Sequence, residues 1–483
     1  MRQPPASPEA RPATAGTDRP GRIETRGIDV VPDAERHGSA RELFAIWAAP
    51  NVSYLSFVVG ATTILMGLGL AESIAVIVAG NLLWFITGFI SISGPAAGTT
   101  GSVISRAMYG VLGNKVVIAI TGWLISALYL ALNWSAASVA GIGLAGQLGL
   151  PDSAALDAIV ICAIAAATIL IAIFGHATIV RLYTALTVVL TIVFFVVSAL
   201  VVARADWSYA PAEPLSGFSH VVVLAAAFTI VASTPLSYAN SPDLARYLPR
   251  MTSGTAVTCW AAAGGIVPSI VFTSVGALAA TALDMSDPQA ALESIMPAWF
   301  APIFVIAVVV NTMANNGMTA YSAGLCMQSI GVRLPRVPAV LVVGGIGTAM
   351  TLFAILVFDF LTAVNTMLEL VVVITGPCMA VYATDVVLRR NRYDGVALHD
   401  QTRSGPFWYR GGVNWAGALA TAIGVLAATL CASSSSFAGP VSAALDGLNL
   451  ALPVGIGGSA VLYWIFTRAF RTIPSTEHRA GTT

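Results

Sequence analysis

Residues 42–70 read ELFAIWAAPNVSYLSFVVGATTILMGLGL, and residues 221–249 read VVVLAAAFTIVASTPLSYANSPDLARYLP. Each is an apolar run long enough to cross a bilayer, since a hydrocarbon core of about 30 Å takes about 20 residues of helix. Each is also interrupted. The first carries Pro50, Asn51 and Ser53 in its first third, and the second carries Ser233, Thr234, Pro235 and Ser237 near its middle. A proline removes one backbone donor and clashes with the preceding turn. Flanking hydroxyls take up the freed carbonyls, so either break alone reads as a simple kink. The pair says more because of where the two stretches fall along the chain.

Charge-free runs cover residues 43–71, 73–105, 116–151, 158–180, 182–203, 214–242, 251–283, 294–332, 337–358, 411–445 and 447–467. A further apolar segment, Phe360 to Leu388, is broken only by Glu369 and Asp385. The expectation is an all-α integral membrane protein with twelve transmembrane helices, because helices are the open-ended structure that satisfies its own backbone in lipid. The two interrupted stretches then become spans 1 and 6. They open two five-helix halves at about 43–203 and about 218–390, with two extra helices at about 411–469, inside a domain of 43–470. Interrupted helices at matching positions of two halves mark the site in inverted-repeat transporters.

Composition agrees. Only 10% of the 483 residues are charged and 57% are hydrophobic, with mean hydropathy +0.82. A soluble domain carries about 25% charge, so a disordered, collagen-like or conventional cytosolic protein is excluded. Basic and acidic residues balance at 23 each, which leaves no bulk charge to attract nucleic acid. The five cysteines lie in apolar runs without a CxxC pair and read as small buried hydrophobes, not a disulfide framework or zinc site. No HExxH, GxSxG or phosphate-binding loop is present, and Gly141 to Gly146 matches GxGxxG at the end of an apolar span with no strand before it. An enzyme is therefore not expected, and no cofactor is implied. Seven arginines precede Glu42 and fifteen more basic residues fall on the same side, leaving Arg204 alone on the other. The positive-inside rule then places both termini on the cytoplasmic face of the cell membrane. Residues 1–42, with several Pro, Gly, Arg and Asp, read as a disordered tail, and 471–483 as a second tail.

Polar residues inside the spans point to the chemistry. Span 8 holds Asn311, Thr312, Asn315, Asn316, Thr319 and Tyr321. The fourfold spacing of Asn311 with Asn315, and of Thr312 with Asn316, makes a polar strip on adjoining faces. One such residue would mean an interhelical hydrogen bond worth about 0.6 kcal/mol; this many reads as a lined cavity. In span 3, Tyr129 and Asn133 share a face beside Trp134. A ring face stacks on a planar ligand and an amide meets both donors and acceptors on a heterocycle edge; packing is the competing reading. Glu369 sits mid-span in span 10, where an ionised carboxylate costs about 2.5–3.5 kcal/mol. It is either proton-linked or gating, or a structural hydrogen-bonding group. No span carries a central Arg or Lys to meet an anion, so the small-molecule partner is expected to be neutral, planar and polar. A channel has no need for paired broken helices.

Short words recur through the spans. They are Phe44-Ala-Ile-Trp47 with Gly60, Asn81-Leu82, Gly98-Thr-Thr-Gly101, and Ser105-Arg106-Ala-Met-Tyr-Gly110-Val-Leu-Gly113. The strongest is Asn240-Ser-Pro-Asp243-Leu-Ala-Arg246-Tyr247-Leu-Pro249, followed by Tyr321-Ser322-Ala-Gly324, Asp385 through Arg390, and Gly411-Gly-Val-Asn-Trp415. In this order they resemble the nucleobase:cation symporter family, purine–cytosine permease branch. The resemblance implies a leucine-transporter-type fold with two inverted five-helix repeats plus two extra helices. It also implies import of cytosine, a purine, uracil, hydantoin or allantoin, coupled to Na+ or H+ by alternating access. The alternative is proton-coupled transport of another small planar metabolite.

Carried over residue by residue, the resemblance places the helix 3 aromatic on Tyr129 with Asn133 one turn on. Asn311 and Thr312 fall at the helix 8 cation ligands, Asn315 or Asn316 at the substrate, and the break from Ala48 to Asn51 supplies carbonyl ligands. Asn51 and Ser233 are counted with the substrate site, and Asp243 and Arg246 with the cytoplasmic motif. Counting back nine from Asp243 puts the helix 6 aromatic position on Thr234, a departure that leaves one-sided stacking or a different substrate.

Overall fold

The structure, a computed structural model, describes residues 21–473, apart from residues 22, 25, 152, 358–359 and 435–436 and the side chains of residues 147, 354–367 and 369–370. Among the described residues there is no strand, only two isolated bridges, at Arg410–Val413 and Ser433–Ala438. Span 1 is the bent pair Glu42–Asn51 and Tyr54–Leu65, which meet at 58°. Spans 2 to 5 are Leu70–Ala97, Arg106–Gly146, Ala154–Phe174 and His176–Val202. Spans 6 to 8 are Gly217–Leu236, Gly254–Ala280 and Ala301–Ser329, and spans 9 and 10 are Arg336–Val357 and Phe360–Leu388. The 17-residue Trp415–Cys431 and the 19-residue Ala451–Ala469 complete the expected twelve.

Eight of the spans sort into two packed groups. Spans 1, 2, 6 and 7 lean mainly on one another; spans 3, 4, 8 and 9 do the same; spans 11 and 12 pair and lie against span 10. Close approach explains some of the small residues. A Cβ at Gly60 would sit 1.8 Å from the Thr273 carbonyl oxygen of span 7, so only glycine lets spans 1 and 7 meet there. Span 3 is irregular, with a π-turn at Ala119–Leu124 one turn before Tyr129. Such a turn widens the helix and re-aims the side chains that follow it.

The N-terminal segment corrects the expectation of a disordered tail through residue 42. Residues 26–37 follow the end of the bundle that carries the arginines: Val31 N–H donates to Gly98 O at 2.8 Å, and His37 N–H to Tyr247 O at 2.7 Å. Arg36 donates to Pro95 O at 2.6 Å and Thr99 Oγ1 to Ile28 O at 2.6 Å. Part of the polar composition that reads as disorder is satisfied here by partners 59 or more residues away.

Candidate functional site

At the break in span 1, several freed backbone groups find partners. Asn51 Nδ2 donates to Trp47 O at 2.7 Å, and Val52 N–H closes a turn onto Ala48 O at 2.9 Å. Val52 then leaves the helix at φ −74°, ψ 78°. Ser53 caps the second half by accepting from Leu55 N–H at 3.1 Å. Across the gap, the Asn311 amide of span 8 donates to Ala49 O at 3.0 Å and Val52 O at 2.7 Å. The carbonyls turned toward span 8 are therefore those of Ala49 and Val52, whereas the Ala48 carbonyl is held in its own turn.

Span 6 stops at Leu236 and gives way to an unwound stretch before the short helix Pro242–Ala245. Thr87 of span 2 repairs the break: its hydroxyl donates to Pro235 O at 2.5 Å, and its carbonyl accepts from Ser241 Oγ at 3.0 Å. Ser233 is fully buried with its hydroxyl on Ile230 O at 2.6 Å, so the fold keeps it inside its own helix and away from the cavities. The unwound stretch presents Tyr238. Its ring stacks on Trp84 (centroids 5.4 Å, 25°) and meets Trp47 edge-on (5.0 Å, 80°).

Three small cavities run through the breaks. The first, about 10 Å³, is walled by Ser53, Asn133, Asn311, Thr312 and Asn315. The second, about 30 Å³, is walled by Asn51, Ser53, Thr234, Tyr238, Ser269 and Asn315. The third, about 50 Å³, is walled by Tyr129, Ser237, Tyr238, Asn240, Thr319 and Tyr382. Asn315 belongs to the first two and Tyr238 to the last two. Cavities of this size hold waters, so admission of a heterocycle requires the two helix groups to move apart.

The expected residues divide cleanly. Asn51, Thr234 and Asn315 meet in the second cavity, and Asn133, Asn311 and Thr312 join Asn315 in the first. Asn316 walls none of these three cavities: its Nδ2 donates to Leu130 O at 3.0 Å and its Oδ1 accepts from Asn133 at 2.9 Å, which ties span 8 to span 3. Trp134 turns to span 4, where its Nε1 donates to Thr168 at 3.1 Å. Asp243 accepts from Gly101 N–H at 2.8 Å, and Arg246 is buried beneath the breaks. The Glu369 side chain lies outside the described residues. Thr234, where counting back nine from Asp243 leads, lies within span 6 and walls the second cavity; Tyr238, in the unwound stretch, is an aromatic residue beside it that the count passes over. Its signal in the sequence is its place three residues past Pro235.

Two interrupted helices facing each other across buried polar cavities form the site architecture of a secondary transporter. The chain belongs to the family described as permeases for cytosine/purines, uracil, thiamine and allantoin, which matches residues 30–455. It is similar to the putative purine-cytosine permease YxlA of Bacillus subtilis (strain 168), 27% identical over 95% of this chain and 98% of that one. Among solved structures it resembles Mhp1, a nucleobase-cation-symport-1 family transporter, in a closed conformation with bromovinylhydantoin bound. That likeness has a TM-score of 0.74 at 19% identity, over 95% of this chain and 96% of the other. The inward-facing conformation of Mhp1 matches with a TM-score of 0.71 at 19% identity, over 94% and 96%. The fold is thus the leucine-transporter type that the sequence resemblance implied.

Proposed function

We propose that this multi-pass membrane protein imports a neutral planar heterocycle of the nucleobase, hydantoin or allantoin class together with sodium, with both termini in the cytoplasm. The observation that carries the reading is Asn315, which walls both the cavity of Asn311 and Thr312 and the cavity of Asn51 and Thr234. Tyr129 and Tyr238 offer ring faces, and Asn315 with Asn51 offers amide groups to a heterocycle edge. The Ala49 and Val52 carbonyls converge on Asn311 from the break in span 1. With the Thr312 hydroxyl and a rotated Asn311 amide they make an all-oxygen set suited to a hard monovalent ion. A sodium ion there fixes the break in span 1 against span 8, which shapes the wall that Asn315 shares with the heterocycle.

Uptake into proteoliposomes tests this. An inward sodium gradient should drive accumulation of at least one of labelled cytosine, uracil, a purine, hydantoin or allantoin. Accumulation driven equally by a proton gradient in sodium-free buffer would transfer the coupling role away from this site.

A further inference from the structure

We propose that Glu24 and residues 26–37 form a latch that closes the cytoplasmic side of the transport path, with Glu24 as its pin. Glu24 is 5% exposed, and every atom of its carboxylate is engaged. Oε1 accepts from Arg246 at 3.0 Å, Tyr247 OH at 2.7 Å and Tyr321 OH at 3.3 Å. Oε2 accepts from His176 N–H at 2.9 Å and faces Arg336 at 3.6 Å. The backbone is held as well: Arg336 donates to Glu24 O at 3.0 Å, Glu24 N–H to Phe174 O at 3.3 Å, and Arg246 to Gly27 O at 2.8 Å.

These partners come from both helix groups. Arg246 and Tyr247 follow the broken end of span 6, whereas Tyr321 belongs to span 8, Arg336 to span 9, and Phe174 and His176 to the junction of spans 4 and 5. One carboxylate therefore bridges the seam along which the groups must part. The rest of the segment is a preformed hook. Arg26 pairs with Glu35 at 2.7 Å and Arg36 with Asp33 at 3.1 Å, and residues 28–37 are fastened to the corner after span 2 and to Tyr247. Four residues later the chain enters span 1, so the hook is joined directly to a helix that carries the site.

The charges give the device its direction. Arg246 and Arg336 are 0% and 3% exposed, and two buried guanidinium groups are tolerated only while a carboxylate stands between them. When the seam opens, water replaces Glu24 and the arginines no longer need it. Glu24 thus stabilises the inward-closed state alone, and its loss shifts the population toward the inward-open one. This inference needs alternating access but not the identity of the substrate or the coupling ion.

Native cysteines report the result. Cys326 and Cys378 are buried and wall the third cavity, on the cytoplasmic side of Tyr238. In a background of Cys162→Ser, Cys259→Ser and Cys431→Ser, Glu24→Gln should speed maleimide labelling of Cys326 and Cys378 by about tenfold or more, whereas Glu213→Gln, in the exposed loop before span 6, should leave it near the parent rate. Equal labelling in Glu24→Gln and parent would overturn the latch. A second variant guards against a folding defect. A Cβ at Gly27 would lie 2.2 Å from Gln328 Oε1 at the end of span 8, so Gly27→Cys with Gln328→Cys can be joined by a short bis-methanethiosulfonate crosslinker, each thiol displacing a methanesulfinate to leave a reducible disulfide. The joined protein should label slowly at Cys326 and Cys378 and stop transporting, with both restored by reductant. Undiminished transport in the joined protein would show that the segment does not need to move.

Discussion

Asn315 and Asn316 are neighbours in sequence, yet they face about 100° apart on their helix and have separate tasks. Asn315 is half-buried at the wall between two cavities, and Asn316 is fully buried against Asn133 and Leu130. Asn315→Ala should weaken heterocycle binding about tenfold, the equivalent of one hydrogen bond of about 1.4 kcal/mol, in an equilibrium binding assay. Asn316→Ala should instead lower the melting temperature and leave the affinity of the folded fraction near the parent value, since it strands the Asn133 amide. Thr312→Ala should raise the sodium concentration for half-maximal binding several-fold while affinity at saturating sodium changes little. The polar strip that carries these roles was legible from its spacing alone. Which of the two asparagines faces the path was not, because that depends on where span 3 lies. Thr234 was assigned by counting back from Asp243; it walls the second cavity, and Tyr238, which that count passes over, lies beside it on the unwound stretch after Leu236.

At the scale of elements, the two breaks are held open by side chains from other helices. Span 2 supplies Thr87 to span 6, and span 8 supplies Asn311 to span 1. Thr87→Val keeps the shape but strands the Pro235 carbonyl in a dry setting, at a cost of about 1–3 kcal/mol. The expected outcome is a lower melting temperature together with loss of heterocycle affinity; unchanged affinity would mean that the break keeps its form without Thr87. The twelve spans and both breaks were legible because charge-free length and intrahelical proline are local signals. The order of residues 23–41 was not. Its hydrogen bonds run to Gly98, Arg246, Tyr247 and Arg336, and a composition rich in Gly, Pro and Arg carries no trace of such distant partners.

For the whole molecule, two helix groups meet at a seam with the three polar cavities in its middle and a buried ion cluster at one end. Both arginine-lined features, the latch and the cluster of Asp385 with Arg389, Tyr393 and Tyr463, sit on the side that the basic residues assign to the cytoplasm. The opposite side carries one basic residue, Arg204. In the proposed coupling one wall is shared: an ion held by Ala49, Val52, Asn311 and Thr312 would also position Asn315. The affinity of the purified protein for cytosine, uracil, purines, hydantoin and allantoin, titrated in sodium and again in choline, measures that wall directly. Sodium should tighten binding of the recognised heterocycle by about 5–150-fold, the range of a 1–3 kcal/mol coupling, and Thr312→Ala should shrink the ratio at moderate sodium. Equal affinity in sodium and choline for a heterocycle that binds would contradict the proposed coupling.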